Sequence, residues 1–370
     1  MYTFLLLSFF LWFVPYNAAR FSSETLAGRI FLIGLAGFLL NRDHKPANYL
    51  LAGVILGLSF IVRYQVAFMI IGFGAWLIFM QKTGLRNLLA FTLGFLLLTA
   101  IGIIIDRWFY GEWVLTAWNY FRQNLVLGKA AGFGTSPWWY YFSETFMNAI
   151  PPFSLVYILA VSLYACFFPR DILTWSAMPF VIAHFIIPHK EIRFLFPIIG
   201  FLPVMIVRVA AQVKQRTGEV QVNKRWVQLL VNLFWITNMA MLVLLIFRPA
   251  DDRISLYKKL WYDYPGPSKL YFMGENPYHR AKVDVHYYKR KSLVFVPTDS
   301  LNQITLSKDT ISLLVTDNPE PPGSSSFQPV LIYSSLPSWV KKFNVNHWIE
   351  RTSFWYVYEL KSIPDKPVYH

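Results

Sequence analysis

The chain has 370 residues, 55% of them hydrophobic, 18% aromatic and only 15% charged, with a net charge of +14 and a mean hydropathy of +0.40. So much apolar surface cannot be hidden in one soluble core, which excludes an ordinary soluble domain. The basic residues sit in short loops between apolar segments, where they serve as topogenic charge and attract anionic membrane lipids, and this argues against nucleic acid as a partner.

In chain order, nine apolar segments stand out, roughly at 2–18, 24–40, 48–62, 64–80, 85–105, 150–168, 172–188, 193–212 and 226–247. They predict an α-helical, multi-spanning membrane protein, some of whose short segments suit tilted or re-entrant helices. The first lacks the basic n-region and small-residue cleavage site of a signal peptide, so it is read as membrane-embedded. Arg63-Tyr64-Gln65 separates the third from the fourth, as a tight turn or as a polar notch in one long helix. Trp and Tyr crowd segment ends, at Trp12 to Tyr16, Trp108 to Tyr110 and Trp138 to Tyr141, where an interfacial belt would put them. The single cysteine, Cys166, lies in an apolar run, which rules out an intrachain disulfide and a zinc cluster. With no Asn-x-Ser/Thr sequon either, the chain reads as a bacterial protein of the inner membrane.

One set of alternate loops holds Arg42 and Lys45, then Lys82 and Arg86, then Arg170, then Lys214, Arg216, Lys224 and Arg225. The positive-inside rule places these in the cytoplasm. The other set faces outward and contains Arg20 to Glu24, Arg63, the long loop 106–149, residues 189–193 and everything after about 248. Every unusual polar cluster therefore falls on one face, as a single active site requires. After Phe247 the composition turns polar and acidic, and residues 248–370 read as a small, outward-facing α/β domain behind a transmembrane domain at 1–247. Strands are expected at Ser292–Val296, Thr310–Val315, Pro329–Tyr333 and Phe354–Leu360, with a loop at Asp317–Ser324.

Four outward clusters carry chemistry. Arg20 and Glu24 open the second segment, where Ser22 or Ser23 would also serve as a helix cap with Glu24 favourable beside it. Arg63, at a membrane boundary, is suited to a phosphate or carboxylate. Asp106 opens a loop in which Asn119, Trp138 and Tyr140 supply the amides and rings that read a saccharide, or else an aromatic interfacial belt. The run His189-Lys190-Glu191-Ile192-Arg193 packs four ionisable groups into five residues. Lys190 and Arg193 suit a phosphate, His189 a phosphate or hydroxyl, and Glu191 a cation or sugar hydroxyls; the bland alternative is a polar helix cap. His44, His184, His279 and His286 are scattered and read as structural or solvated. No Gly-rich phosphate loop, Gly-x-Ser-x-Gly elbow or metal-ligand cluster is present, so no cofactor is expected.

The run His189-Lys190-Glu191-Ile192-Arg193-Phe194, continued by Leu195, Phe196 and Pro197, resembles the hallmark of glycosyltransferase family 22, the mannosyltransferases that extend N-glycan precursors and GPI anchors. Asp106 with Tyr110-Gly111, Trp113, Asn119 and Pro137-Trp138-Trp139-Tyr140-Tyr141 is similar to the same family, as are Gly57 to Arg63 and, less closely, Arg20 to Glu24. The resemblance covers roughly 15–210 and implies a GT-C fold. It also implies inverting transfer of mannose from a polyprenyl-phosphate donor to a lipid-linked or lipid-anchored glycan acceptor, without a nucleotide, at an endoplasmic reticulum membrane if the host is eukaryotic. His189, Lys190, Arg193, Arg63 and Arg20 would then bind the donor phosphate, and Glu191, Asn119, Trp138 and Tyr140 the sugar or acceptor. The family's His-Pro-Asp-Glu type signature does not occur in this chain, which reads as lacking a first helix and first outer loop. Asp106, Glu24 or Glu144, the remaining outer-face carboxylates, would substitute as the base. Two alternatives keep the topology: a non-catalytic polyprenyl-phosphate-binding homologue, and a transporter or polymerase of lipid-linked saccharides. A transporter should have polar residues along a path through the bilayer, whereas here they cluster at one face.

Overall fold

The computed structural model describes residues 2–41, 43, 45–217, 224–247, 253–280, 283–284, 288–316, 327–335, 342 and 355–362. Arg42, His44, His286, Phe354 and the loop expected at Asp317–Ser324 lie outside the described residues. The chain divides into two compact units, Met1–Phe247 and Arg248–His370.

The first unit is a helical bundle. Its helices are α1 (Tyr2–Phe10), α2 (Phe13–Ala19), α3 (Ser23–Leu40), α4 (Pro46–Val62), α5 (Ala67–Phe79), α6 (Leu85–Tyr110), α7 (Thr116–Phe121), α8 (Tyr140–Asn148), α9 (Ser154–Phe167), α10 (Ile172–Ile186), α11 (Leu202–Thr217) and α12 (Lys224–Phe247). The expected apolar segments fall on these helices, except that the first half of 193–212 is a 3₁₀ stretch, and the count of nine spans does not carry over. Among the described residues, four helical stretches are long and apolar enough to cross a membrane, or five if α1 and α2, bent by 51°, form one span. The others, at Pro46–Val62, Tyr64–Phe79, Ser154–Phe167 and Ile172–Ile186, are shorter. Helices of such length and composition make the chain an integral membrane protein.

Local chemistry explains the element ends. The Ser22 hydroxyl accepts the Thr25 N–H at 3.1 Å and caps α3, so of the two serines Ser22 takes that role. Pro46 opens α4, where its missing N–H costs nothing. The Asp171 carboxylate accepts the Leu173 N–H at 2.9 Å and caps α10. Gly111 closes α6 at φ +77°, a conformation other residues adopt only with strain. Arg63 is extended, at φ −152° and ψ +108°, and a 3₁₀ turn at Tyr64–Val66 follows it. The interruption is thus a tight turn rather than a notch.

Phe31, Leu35, Tyr49, Leu56, Phe73, Phe180 and Phe201 form the centre of the bundle. Two close approaches set its geometry. A Cβ on Gly53 of α4 would stand 2.0 Å from the Phe91 carbonyl oxygen of α6, so these helices cross backbone to backbone. A Cβ on Gly28 of α3 would stand 2.4 Å from the Pro197 carbonyl oxygen. Pro197 sits in a ten-residue 3₁₀ stretch, Ile192–Phe201, that leads into α11. The sequence predicts ordinary helix there. Pro197 has no N–H to donate, and such stretches rarely exceed three or four residues, so this one is tied to its surroundings by packing. On the bundle exterior, Leu93, Leu97, Ile101 and Ile104 of α6 are exposed, as a lipid-facing helix requires.

The second unit carries α13 (Arg253–Asp263), a two-stranded ribbon of β2 (His279–Arg280) and β3 (Val283–Asp284), and a five-stranded sheet. The sheet strands are β1 (Ser268–Phe272), β4 (Leu293–Pro297), β5 (Ile311–Thr316), β6 (Phe327–Ser334) and β7 (Tyr356–Ser362), in the order β4-β1-β5-β7-β6. β1 runs parallel to both β4 and β5, whereas β7 is antiparallel to β5 and β6. The four expected strands are present within two residues of their predicted starts, with Pro329 tolerated on the edge strand β6. β1 was not expected: its five residues follow Pro265-Gly266-Pro267 and open on Ser and Lys, so no alternation marks it. Leu256, Tyr257 and Leu260 of α13 pack on Leu270, Leu313 and Val357 of the sheet.

Candidate active site

The site is built at one end of the bundle. α3 starts there, α4 ends there, and the 3₁₀ stretch at Ile192–Phe201 starts there, held against α3 by the Gly28 approach. Antiparallel hairpin geometry thus brings Glu24, Arg63 and the 189–193 run together although they are far apart in sequence.

Glu24 is 3% exposed. Its Oε1 pairs with Arg63 Nη2 at 2.9 Å, and its Oε2 accepts the Ser23 hydroxyl at 3.2 Å. Arg63 also donates from Nε to Gln65 Oε1 at 3.1 Å, which leaves Nη1 without a partner among the described residues. Its guanidinium lies 5.8 Å from the centre of the Phe194 ring. The Arg193 guanidinium lies 5.8 Å from the same ring. Glu191 grips Arg193 in a fork, with Nε to Oε2 at 2.6 Å and Nη2 to Oε1 at 3.0 Å, again leaving Nη1. His189 Nε2 meets Glu191 Oε1 at 3.2 Å. Burial pushes the Glu191 carboxyl up, but hydrogen bonds from Arg193 and His189 outweigh it, so the net displacement is below the ordinary glutamate range.

Two tyrosines extend the cluster toward Asp106. Tyr120 of α7 lies within electrostatic reach of Arg63 and Glu24, close to Gln65, and burial raises its phenol above the ordinary range. Its ring centre is 5.6 Å from that of Tyr64, and Tyr64 in turn is close to Asp106 and Thr116. The Asp106 carboxylate accepts the Thr116 hydroxyl. Tyr120 was not singled out in the sequence, nor was Gln65 given a role. The only signals were that Gln65 stands two residues past Arg63 and Tyr120 beside Asn119.

The other expected residues are more dispersed. Lys190 is buried and bonded to backbone carbonyls of Ser136 and Ile187. Arg20 lies over the Tyr16 ring at 4.4 Å and donates to its hydroxyl at 3.0 Å. Asn119 is exposed. Trp138, exposed, and Tyr140, half-buried, stand where the long loop enters α8. His184 is buried with Nδ1 2.7 Å from the Phe180 carbonyl oxygen. Among the described residues no group of three or more His, Cys, Asp or Glu side chains could hold a metal ion.

Beside the cluster runs an apolar cleft of about 570 Å³. Ile192, Leu195 and Phe196 of the 3₁₀ stretch form one wall, and α2, α9 and α10 supply Phe13, Tyr157, Val181 and Phe185. Trp138, Glu144, Thr145 and Asn148 also line it. A cation pair next to such a cleft can hold an anionic head group while a hydrocarbon chain lies in the cleft.

The Alg9-like mannosyltransferase family matches residues 1–260, and the chain belongs to that family. GPI alpha-1,2-mannosyltransferase 3 of Bos taurus is 26% identical over 195 residues, covering 51% of this chain and 35% of that protein. GPI mannosyltransferase 3 of Yarrowia lipolytica is 28% identical over 230 residues, covering 62% of this chain and 43% of that protein. A probable Dol-P-Man:Man(7)GlcNAc(2)-PP-Dol alpha-1,6-mannosyltransferase of Schizosaccharomyces pombe is 29% identical over 137 residues, covering 36% of this chain and 24% of that protein. The alignments thus span less than half the length of each of these relatives. No solved structure matches the chain.

Proposed function

We propose that this member of the Alg9-like mannosyltransferase family moves mannose from a polyprenyl-phosphate donor to a lipid-linked or lipid-anchored glycan, with inversion at the anomeric carbon. One observation carries the reading: two arginines, each oriented by its own glutamate and each keeping one Nη nitrogen, lie 5.8 Å from the centre of the Phe194 ring beside an apolar cleft. An arginine fork held by a carboxylate loses little side-chain freedom when it takes a phosphate. The isoprenoid chain lies in the cleft, and Arg63 and Arg193 neutralise the phosphate as the bond between it and the anomeric carbon breaks. Trp138 and Tyr140 stack on sugar, with Asn119 available for hydroxyls, while Glu191, both of whose oxygens are engaged, orients Arg193. The acceptor hydroxyl forms the new bond and gives its proton to a carboxylate, for which Asp106 is better placed than Glu24. Both Glu24 oxygens are engaged and the residue is buried, which suits orienting Arg63. The names of the relatives support mannose and a lipid-phosphate donor. The site end faces the periplasm, with the basic loops at the opposite end in the cytoplasm; lack of sequons supports a bacterial inner membrane over the endoplasmic reticulum.

The test is transfer in membranes containing the chain, supplied with undecaprenyl-phosphate [³H]mannose. Label should move to a lipid-linked or lipid-anchored glycan, and GDP-[³H]mannose alone should give no direct transfer. Direct use of GDP-mannose would overturn the donor assignment. The engagement of both Glu24 oxygens favours a second reading, a homologue that binds the lipid phosphate without turnover. Saturable undecaprenyl-phosphate binding with no label transferred would select it.

A further inference from the structure

The two halves of the 189–193 run face different partners. Glu191 and Arg193 belong to the charge cluster, but Lys190 turns away from it. Lys190 is 6% exposed, and no ion pair among the described residues includes it. Its ammonium donates to the Ile187 carbonyl at 2.5 Å and to the Ser136 carbonyl at 3.3 Å. Ser136 returns a bond from its N–H to the Pro188 carbonyl at 2.9 Å. Two residues before Ser136, the Gly134 carbonyl meets His189 Nδ1 at 3.0 Å. A buried ammonium without a carboxylate is tolerated only where other dipoles solvate it. Ile187 is the extended C-cap residue just past α10, so its carbonyl is not used within that helix and is free to accept the ammonium. A phosphate would have to strip this amine from two carbonyls and open the backbone around it.

We infer that Lys190 is a positioning residue: its ammonium, with His189, clasps the 134–136 segment to the end of α10 and so fixes the loop that delivers Trp138 and Tyr140, leaving the donor phosphate to Arg63 and Arg193. The use of that loop rests on the mannosyl-transfer reading; the clasp itself rests on geometry alone. Burial, which holds the Lys190 amine below the ordinary lysine range, agrees with a buried structural contact.

Two variants of the full chain in detergent test it. Lys190→Met removes the ammonium and keeps the length of the side chain. Ser136→Pro removes the return N–H bond and leaves Lys190 intact. Trypsin reads the clasp at the exposed loop sites Arg122 and Lys129, with cleavage at Lys214 and Arg216, at the opposite end of the bundle, as the internal reference. Equilibrium binding of undecaprenyl phosphate reads the phosphate site. Cleavage at Arg122 and Lys129 should accelerate at least about tenfold relative to the reference in both variants, a loss of local protection that general destabilisation would not confine to the loop. Undecaprenyl-phosphate affinity should stay within about threefold of native. Unchanged protection in both variants overturns the clasp. A loss of affinity of about tenfold or more in Lys190→Met, the loss expected of a charged hydrogen bond to phosphate, makes Lys190 a phosphate ligand and overturns the division of roles. If the native chain binds no undecaprenyl phosphate, the donor reading fails while the protease comparison still decides the clasp.

Discussion

The two ends of the bundle use the same chemistry, an arginine on a carboxylate, with different burial. At the site end, Glu24 and Arg63 pair with side chains 4% and 23% exposed and come from different helix ends. At the opposite end, Arg208 pairs with Asp171 at 2.5 Å with side chains 42% and 20% exposed. The Arg208 guanidinium lies over Phe168 at 4.2 Å. Lys45 and Asp43, at the same end, are more exposed still. Burial decides what each pair is worth. An exposed pair contributes about 0–1 kcal/mol, whereas removing one partner of a buried pair strands the other and costs about 3–5 kcal/mol. The Glu24–Arg63 pair therefore costs stability unless both partners are in place, whereas Glu191–Arg193 at the same end, with side chains 36% and 54% exposed, is worth no more than the pairs at the other end.

The sharpest way to break this comparison is Glu24→Ala. It should cost about 3–5 kcal/mol, read as a large fall in melting temperature in detergent, because Arg63 is left buried and unpaired. A loss no larger than that of Lys45→Ala would show that the site-end pair is no different from a surface one. Next in size is a pair of alanines on one helix. Gly28→Ala, near the site end of α3, drives a methyl to 2.4 Å from the Pro197 oxygen and should cost about 1–3 kcal/mol while weakening undecaprenyl-phosphate binding. Gly37→Ala, near the far end of α3, meets nothing within 4 Å. It should be neutral or stabilising by up to about 1 kcal/mol.

At the far end, Asp171→Ala loses both the α10 cap and the ion pair, about 1–2 kcal/mol together. Asp171→Asn keeps a capping oxygen and should cost under about 1 kcal/mol. Equal losses in the two variants would mean that the pair with Arg208, not the cap, carries that end. The smallest effect concerns pH. Because Glu191 is held below the ordinary glutamate range in the folded chain, its contribution is present above the unfolded value of about 4.3 and is lost as pH falls below it. Melting temperatures of native and Glu191→Gln should thus converge only below about pH 4.3. Convergence already at pH 6 would contradict the assignment.

Much of the bundle was legible because hydropathy windows report helices directly, and Ser22 marks where α3 begins; the starts at Pro46 and Asp171 were not read from the sequence. The number of true spans was not: α4, α5, α9 and α10 are apolar but short, and composition does not tell a span from a buried core helix. The Glu24–Arg63 pair was partly legible, since consecutive antiparallel helices must bring the start of one beside the end of the next. The 189–193 run showed its charges but not their directions. Glu191 is extended, at φ −137° and ψ +140°, so neighbouring side chains point to different partners. The Lys190 ammonium meets the carbonyls of Ile187 and of Ser136, and Ser136, in a distant loop, could not be read as its partner. Tyr120 was missed for the same reason, whereas Gln65 was passed over although its partner Arg63 is two residues away. Strand β1 was missed because its burial depends on β4 and β5 on either side, a non-local fact that five residues cannot encode.

The most direct test of the account is the affinity of undecaprenyl phosphate for the native chain and for Arg193→Ala, a substitution at a half-exposed side chain that leaves the buried Glu24–Arg63 pair in place. The account predicts saturable binding by the native chain and at least about a tenfold loss in the variant, with little change in melting temperature. Equal affinity in the two proteins would contradict it, because the phosphate would then be held elsewhere than between the two arginines.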